Sequence, residues 1–137
     1  MRSASDVILD TSFLEDVGRE DAAALEKAAT LQDQQIPERL SVMTLYELYW
    51  GIGYVNRPQA ERDKVDAILG TKEVYQVTPA IARKAGRIAG ELARQGKPLN
   101  DPGDELIGAT GLVHEEPVLT KNLDHFERIS GLEVETY

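Results

Sequence analysis

Short aliphatic runs alternate with longer segments of mixed polarity along this chain. Uninterrupted apolar runs of this length are typical of strands that are buried on both faces of a sheet. The predicted strands cover 7–9, 40–42, 74–77, 117–120 and 132–134. The predicted helices cover 19–35, 44–52, 58–69, 78–96 and 104–114, with a helical turn at 122–126. Because strands and helices alternate, the pattern predicts an α/β domain with a mainly parallel central sheet and helices on both faces.

Capping residues indicate where several helices begin. Thr11 and Ser12 offer hydroxyl groups directly ahead of the first helical segment. Thr44 is followed three residues later by Glu47, which is the spacing of a capping box. Asp104 is expected to cap the last long helix.

Composition limits the class of protein. The 137 residues suit one domain, which we place at 1–137, and a hydrophobic content of 42% allows one sizeable core. The absence of cysteine excludes disulfides, zinc–thiolate sites, iron–sulfur clusters and cysteine nucleophiles. No apolar run approaches the roughly 20 residues that span a bilayer, and the first nine residues lack the apolar core of a signal peptide. We therefore expect a cytoplasmic protein without membrane association.

The charge of the chain disfavours simple electrostatic binding of nucleic acid. It has 24 acidic and 15 basic residues, a net charge of −9 and a pI near 4.7. Such a protein repels a polyanion unless cations intervene. Acidic surfaces are also typical of proteins that function at high salt, which is the simpler explanation for most of this charge.

Four polar residues are placed where an active site of an α/β protein is expected, beyond the carboxyl ends of the strands. Asp10 and Asn122 follow predicted strands, and Glu47 and Asp104 lie in the first turns of helices. Carboxylates that approach one another raise each other's pKa, and a divalent cation removes this conflict. A bound Mg²⁺ would activate water for attack on phosphorus and would let an acidic protein hold a polyanion.

Four stretches of the chain identify a family. They lie at 7–12, 41–51, 104–110 and 118–132, in this order and at separations that span nearly the whole chain. On these stretches the chain resembles the PIN-domain ribonucleases, specifically toxins of the VapC type. The resemblance implies a three-layer α/β/α sandwich around a mainly parallel sheet.

The resemblance also implies roles for individual residues. Asp10, Glu47 and Asp104 would be the catalytic metal ligands, and Asn122 would bind the metal directly or through water. The implied metal is Mg²⁺, with Mn²⁺ as a substitute. Six further residues would surround this site: Thr11, Ser12, Asp101, Thr120, Asp124 and His125. His125 stands where relatives often have an acid, and Asp124 is one residue out of register with that position.

The implied function is metal-dependent endoribonuclease activity that leaves a 5′-phosphate and a 3′-hydroxyl. The family also implies a homodimer that is inhibited by a cognate antitoxin whose tail enters the active-site groove. Two alternatives stay open. One is a non-catalytic PIN scaffold that binds RNA or protein, and the other is a phosphatase or DNA nuclease that uses the same carboxylates.

Each candidate residue also has a purely structural interpretation. Asp10 and Asp104 could act only as helix caps, Glu47 only as the partner of Thr44, and Asn122 only as a turn residue. Asp101 and Asp124 could be solvated acids, and His125 a packing residue. An aromatic group on the helix that follows Glu47 is more typical of core or dimer packing than of base stacking. Its members are Tyr46, Tyr49, Trp50 and Tyr54.

Overall fold

Five parallel strands form the central sheet of the computed structural model, which describes residues 6–137. The strands are β1 (Val7–Leu9), β2 (Glu38–Ser41), β3 (Glu73–Tyr75), β4 (Val118–Leu119) and β5 (Val134–Glu135). They lie in the order β3-β2-β1-β4-β5, and every neighbouring pair is parallel. The predicted parallel sheet is therefore confirmed. Residues 1–5 lie outside the described residues. They belong to the predicted domain at 1–137 and to the first nine residues, where no signal peptide is expected.

Seven helices of the described chain cover the two faces of the sheet. They are α1 (Thr11–Gly18), α2 (Ala22–Asp33), α3 (Val42–Tyr54), α4 (Pro58–Leu69), α5 (Pro79–Arg94), α6 (Pro102–His114) and α7 (Leu123–Glu127). No helix within 6–137 combines the length and the apolar character that crossing a membrane requires.

The alternation of side chains along β1 divides the interior into two apolar clusters. Ile8 points into a cluster with residues of α5, α6 and α7, such as Ile81 and Ile107. Val7 and Leu9 point into the other cluster, which contains residues of α1, α2, α3 and α4. Because successive strand residues face opposite sides, each face of the sheet is buried under its own helical layer. This arrangement confirms the predicted α/β/α sandwich.

The starts of two helices differ from the prediction. Asp10 is the N-cap of α1, so Thr11 and Ser12 belong to its first turn. Ser41 caps α3 by accepting a hydrogen bond from the amide of Met43 at 3.0 Å. The predicted capping box is therefore wrong. β2 runs directly into α3, so Ser41 at the junction is the residue whose side chain reaches a free amide, whereas Asp10 makes no side-chain capping bond to α1.

The N-cap of α6 also lies three residues earlier in the chain than predicted. Asp101, not Asp104, is the N-cap, and its Oδ1 accepts a hydrogen bond from the amide of Asp104 at 3.1 Å. Pro102 in the first turn helps to start the helix early, because its fixed φ suits that position. Asp104 thus lies inside the helix, as Glu47 does in α3, and its carboxylate is not used for capping.

Candidate active site

The candidate site lies at the point where the strand order reverses. β1 is flanked by β2 on one side and by β4 on the other, and ligands of open α/β sheets bind in the crevice beyond the carboxyl ends at such a point. Asp10 follows β1, and Thr120 and Asn122 follow β4. The helices α3 and α6 bring Glu47 and Asp104 to the same edge.

Asp10 is buried at the centre of this edge, and two hydroxyl groups hold its carboxylate. Its Oδ2 atom accepts hydrogen bonds from Ser12 Oγ at 2.8 Å and from Thr120 Oγ1 at 2.7 Å. Burial raises the pKa of Asp10 above its ordinary value, and these hydrogen bonds offset part of that increase. The prediction that Ser12 and Thr120 orient a carboxylate agrees with this geometry.

Glu47 is held by a threonine of the neighbouring helix. Thr11 Oγ1 donates a hydrogen bond to Glu47 Oε1 at 2.8 Å and lies 3.0 Å from the hydroxyl of Thr44. Burial raises the pKa of Glu47, and the negative charges of Asp10 and Asp101 add to the effect. Thr44 is thus a supporting residue that the sequence analysis assigned to capping. Its position three residues before Glu47, on the same helix face, was the available signal.

Asp104 contacts the two polar residues that follow β4. Its Oδ2 atom accepts a hydrogen bond from Asn122 Nδ2 at 3.3 Å and lies 2.8 Å from His125 Nδ1. Burial raises the pKa of Asp104 to about 6, and the charges of Asp10 and Asp101 contribute in the same direction. The structure therefore brings Asn122 and His125 to the carboxylate of Asp104.

Asp101 adds a further carboxylate to this group. Asp101, Asp104 and His125 each offer a ligand atom, and these three atoms lie within 4.8 Å of one another. Gly103 is the residue that allows this approach. A Cβ atom at Gly103 would lie 3.3 Å from Asp101 Oδ1, which is a tight contact, and 3.5 Å from Glu47 Oε2, which is an ordinary one, so a larger residue would crowd the Asp101 carboxylate. The sequence analysis did not identify Gly103.

Two charged neighbours face away from the acid cluster, which we define as Asp10, Glu47, Asp101 and Asp104. The side chain of Asp124 is 79% exposed and pairs with Arg128 at 2.7 Å, so the structure does not bring Asp124 to the cluster. Lys121 Nζ lies 3.6 Å from Oδ2 of Asp16, a buried residue of α1.

The aromatic residues of α3 are not core residues within the described chain. Trp50 is 60% exposed and Tyr54 is 75% exposed, and their rings stack at 5.0 Å between centroids. Tyr46 and Tyr49 are exposed as well. Packing in the core, one of the two favoured roles, is therefore wrong, because all four side chains are exposed. Tyr46 and Trp50 line an open pocket together with Thr11 and Glu47.

The acid cluster fits a hard divalent cation. Its donors are carboxylate oxygens with an amide and an imidazole beside them, which suits Mg²⁺ or Mn²⁺ better than a thiophilic metal. Within 6–137, no lysine or arginine lies in ion-pair range of the four carboxylates. The raised pKa values of Asp10, Glu47 and Asp104 show that their negative charges are poorly compensated. A bound cation would supply the missing compensation.

Comparisons with known proteins agree with the fold. The family model described as PIN domain matches residues 7–132. A curated relative from Salmonella typhimurium, the tRNA(fMet)-specific endonuclease VapC, is 35% identical over 102 residues, which cover 72% of this chain and 74% of the relative. The crystal structure of DNA-bound VapBC from the same organism superposes with a TM-score of 0.84 at 27% identity, covering 96% of this chain and 98% of that one.

A second solved structure resembles this chain over almost its full length. It is VapBC-5 from Mycobacterium tuberculosis, a member of the VapBC family of toxin–antitoxin systems. Its TM-score is 0.68 at 25% identity, and the superposition covers 98% of both chains.

Proposed function

The chain belongs to the PIN domain family, and we propose that its acid cluster is the metal-binding active site of an endoribonuclease. The predicted class, a toxin ribonuclease of the VapC type, is confirmed by the family match and by the VapC and VapBC relatives. The observation that carries the metal-dependent mechanism is that Asp10 lies near enough to Glu47 and to Asp104 for its charge to raise the pKa of both, while no lysine or arginine of residues 6–137 lies in ion-pair range of the three acids.

The residues of the site divide into ligands and the groups that position them. Asp10, Glu47 and Asp104 would hold the cation, with Asn122 and Asp101 at its edge. When bound, Mg²⁺ lowers the pKa of a coordinated water and neutralises charge on phosphate oxygens. Ser12 and Thr120 fix Asp10, Thr11 fixes Glu47, and His125 fixes Asp104. Partners of this kind typically contribute tenfold to a hundredfold in metal affinity or activity.

The proposed reaction is hydrolysis of an RNA phosphodiester. Water adds to phosphorus and the bond from phosphorus to the 3′ oxygen breaks, which leaves a 5′-phosphate and a 3′-hydroxyl. The carboxylates of the cluster can accept the proton that the attacking water loses. The Salmonella relative acts on tRNA(fMet), so initiator tRNA is the first substrate to test.

The decisive experiment compares cleavage by the wild type with cleavage by Asp10→Asn. Purified protein is incubated with tRNA in Mg²⁺, in Mn²⁺ and in EDTA. We expect cleavage only with metal, and a loss of at least about 100-fold in Asp10→Asn, since a lost ligand should exceed the effect of a supporting residue. Asp33→Asn is the matched control, because Asp33 is exposed at the end of α2 and should leave the rate unchanged.

Other substrates separate the alternatives. Cleavage of DNA or of a small phosphate ester in preference to RNA would favour the nuclease or phosphatase alternative. A folded wild type that binds RNA but cuts none of these substrates would favour the scaffold. The scaffold hypothesis rested on the out-of-register acid at 124, and the proximity of Asp101 to Asp104 removes most of that support.

We also propose that the chain is the toxin of a pair and is inhibited by a cognate antitoxin in the cytoplasm. The related structures are of VapBC assemblies. A groove between α1, α3 and α4 opens beside Glu47 and is lined partly by Leu14, Leu48 and Val65. Co-expression with an antitoxin encoded by a short open reading frame next to the gene should relieve toxicity and yield a co-purifying complex, and a gene without such a neighbour would count against the proposal. Relief without a complex would contradict direct inhibition.

A homodimer is proposed from the exposed aromatic face of α3. Trp50 and Tyr54 present a stacked apolar surface to solvent, and aromatic residues are enriched at protein interfaces. Light scattering on the purified toxin should give a dimer, and a Trp50→Ser/Tyr54→Ser variant should be monomeric. A wild type that is monomeric at micromolar concentration would contradict the proposal.

A further inference from the structure

An acidic nuclease must still hold a polyanion, and the lysines and arginines of this chain are distributed unevenly. The segment 79–97 contains five cations and one acid, whereas the whole chain has a net charge of −9. The cations are Arg83, Lys84, Arg87, Arg94 and Lys97. The rest of the molecule is therefore even more acidic than the net charge suggests, and α5 is its basic region.

The helical repeat places these cations on the solvent side of α5. Ile81, Ala85, Ile88 and Leu92 are buried and mark the face that packs on the core. Arg83, Arg87 and Arg94 follow at spacings of four and seven residues, on the opposite face, and all are exposed. From Arg83 to Arg94 the helix rises about 16 Å, at 1.5 Å per residue. The cations thus form a row rather than a single point.

Within residues 6–137, four of these five cations lack a carboxylate in ion-pair range, whereas seven of the other nine lysines and arginines have one, Arg57 and Lys72 being the exceptions. Arg19, Lys27, Arg39, Lys121 and Arg128 each lie in ion-pair range of a carboxylate. Across 6–137, no carboxylate lies in that range of Arg83, Lys84, Arg94 or Lys97, and Arg87 has only Glu91 at 3.6 Å. Their charge is therefore available to a ligand.

The row leads towards the acid cluster. α5 packs beside α6, and the connection between them ends at Asp101, the N-cap of α6. Lys97 precedes Asp101 by four residues, so their Cα atoms lie within about 14 Å of each other. Arg128 Nη1 donates a hydrogen bond to the carbonyl of Pro98 at 3.2 Å, which ties this connection to α7.

We infer that this basic face of α5, formed by Arg83, Lys84, Arg87, Arg94 and Lys97, binds the phosphodiester backbone of the RNA substrate and directs it into the acid cluster. The inference rests on the proposed nuclease function. Neutralisation of phosphates by lysine and arginine supplies most of the affinity in sequence-independent binding of nucleic acid. The cleaved phosphate needs a bound cation at the acid cluster, while neighbouring phosphates are held on α5. This division explains how a protein with a charge of −9 can act on RNA.

Two quadruple variants with equal charge test the inference. The first is Arg83→Gln/Lys84→Gln/Arg94→Gln/Lys97→Gln. The matched control is Arg57→Gln/Arg62→Gln/Lys64→Gln/Lys72→Gln, which removes the same charge from α4 and its flanks. Both are made in an Asp10→Asn background so that RNA stays intact. Binding of a labelled single-stranded RNA is measured by fluorescence anisotropy over a range of salt concentrations.

We expect the α5 variant to bind at least about tenfold more weakly than the control. The slope of log K against log salt should fall by about 3, at about 0.7 per lost phosphate contact on a single strand. Equal affinities and slopes for the two variants would overturn the inference. A change of oligomeric state in the α5 variant alone, seen by light scattering, would overturn it as well, because the face would then be a protein interface.

Failure of the proposed nuclease function can be distinguished from failure of the inference about α5. If the wild type binds RNA but does not cut it in Mg²⁺, the proposed function fails while the comparison of the two variants still decides where RNA binds.

Discussion

Two clusters of charged residues lie at opposite ends of the sheet, and they differ in how the negative charge of their carboxylates is compensated. At the amino ends of the strands, Arg39 pairs with Asp6, Glu73 and Glu116, and Tyr75 donates a hydrogen bond to Glu116. At the carboxyl ends, the acid cluster has hydroxyl and imidazole partners but no lysine or arginine within 6–137.

The difference indicates which cluster stabilises the fold and which serves function. A buried carboxylate costs free energy unless a positive charge or several hydrogen bonds compensate it. Arg39 provides that charge within the chain itself. The acid cluster has no such residue, so a positive charge would have to come from a bound cation. The raised pKa of Asp104 is consistent with this lack of compensation. Titratable groups that are perturbed in this way are concentrated at functional sites.

The largest effect should come from removing the internal cation. Arg39→Met leaves the buried Glu116 carboxylate without its positive charge, and we expect a loss of about 3 kcal/mol in the free energy of unfolding. Urea denaturation measures it. Arg57→Met is the control, since Arg57 is exposed and should change stability by less than about 0.5 kcal/mol. Equal stabilities for the two variants would show that the amino-end cluster does not support the fold.

Removing a charge from the acid cluster by Asp104→Asn should stabilise the protein, whereas Arg39→Met should destabilise it. The pKa of Asp104 is raised from 3.8 to about 6. The native state therefore binds more protons than the unfolded state between these values, and this group makes the protein less stable as pH rises through that window. In EDTA at pH 7.5, we expect Asp104→Asn to melt a few degrees above the wild type.

Lower pH and excess Mg²⁺ serve as controls for this comparison of melting temperatures. The difference in melting temperature should shrink as pH falls towards 4, where Asp104 is protonated in the native state. Excess Mg²⁺ should raise the melting temperature of the wild type and have little effect on the variant, because only the wild type keeps the ligand. An Asp104→Asn variant that is less stable than the wild type in EDTA would mean that the cluster is already compensated.

The smallest effect should come from Gly103. Gly103→Ala adds a methyl group 3.3 Å from Asp101 Oδ1 and 3.5 Å from Glu47 Oε2, which crowds the cluster without creating a cavity. We expect a decrease in Mg²⁺ affinity of about tenfold, as for other supporting positions, with a nearly unchanged melting temperature in EDTA. Calorimetric titration of Mg²⁺ measures the affinity. Gly53→Ala is the control, because no atom lies within 4 Å of a Cβ there.

Local sequence predicted the strands and most of the helices, although α1 was expected only as a segment after Thr11 and Ser12 with no bounds, and it made Asp10, Glu47 and Asp104 the candidate acids. The apolar run at 7–9 predicted β1, and a parallel sheet places the residue after such a strand at the functional edge. Helix boundaries were less accurate, since Ser41 and Asp101 compete for capping with Thr44 and Asp104 over a distance of three residues. Which hydroxyl caps a helix depends on the direction in which the strand or loop enters it.

By itself, the sequence determined the alternation of strands and helices, the absence of cysteine ligands, and a surplus of acidic residues that a polyanion-binding protein must offset with a cation. These properties follow from residue type and periodicity along the chain. Only the tertiary structure decided that Asp101 and His125 join Asp104 while Asp124 turns outward, and that Gly103 makes room for the carboxylates. Those outcomes depend on packing α3, α6 and α7 against one sheet edge, and such contacts between distant segments are set by the whole fold.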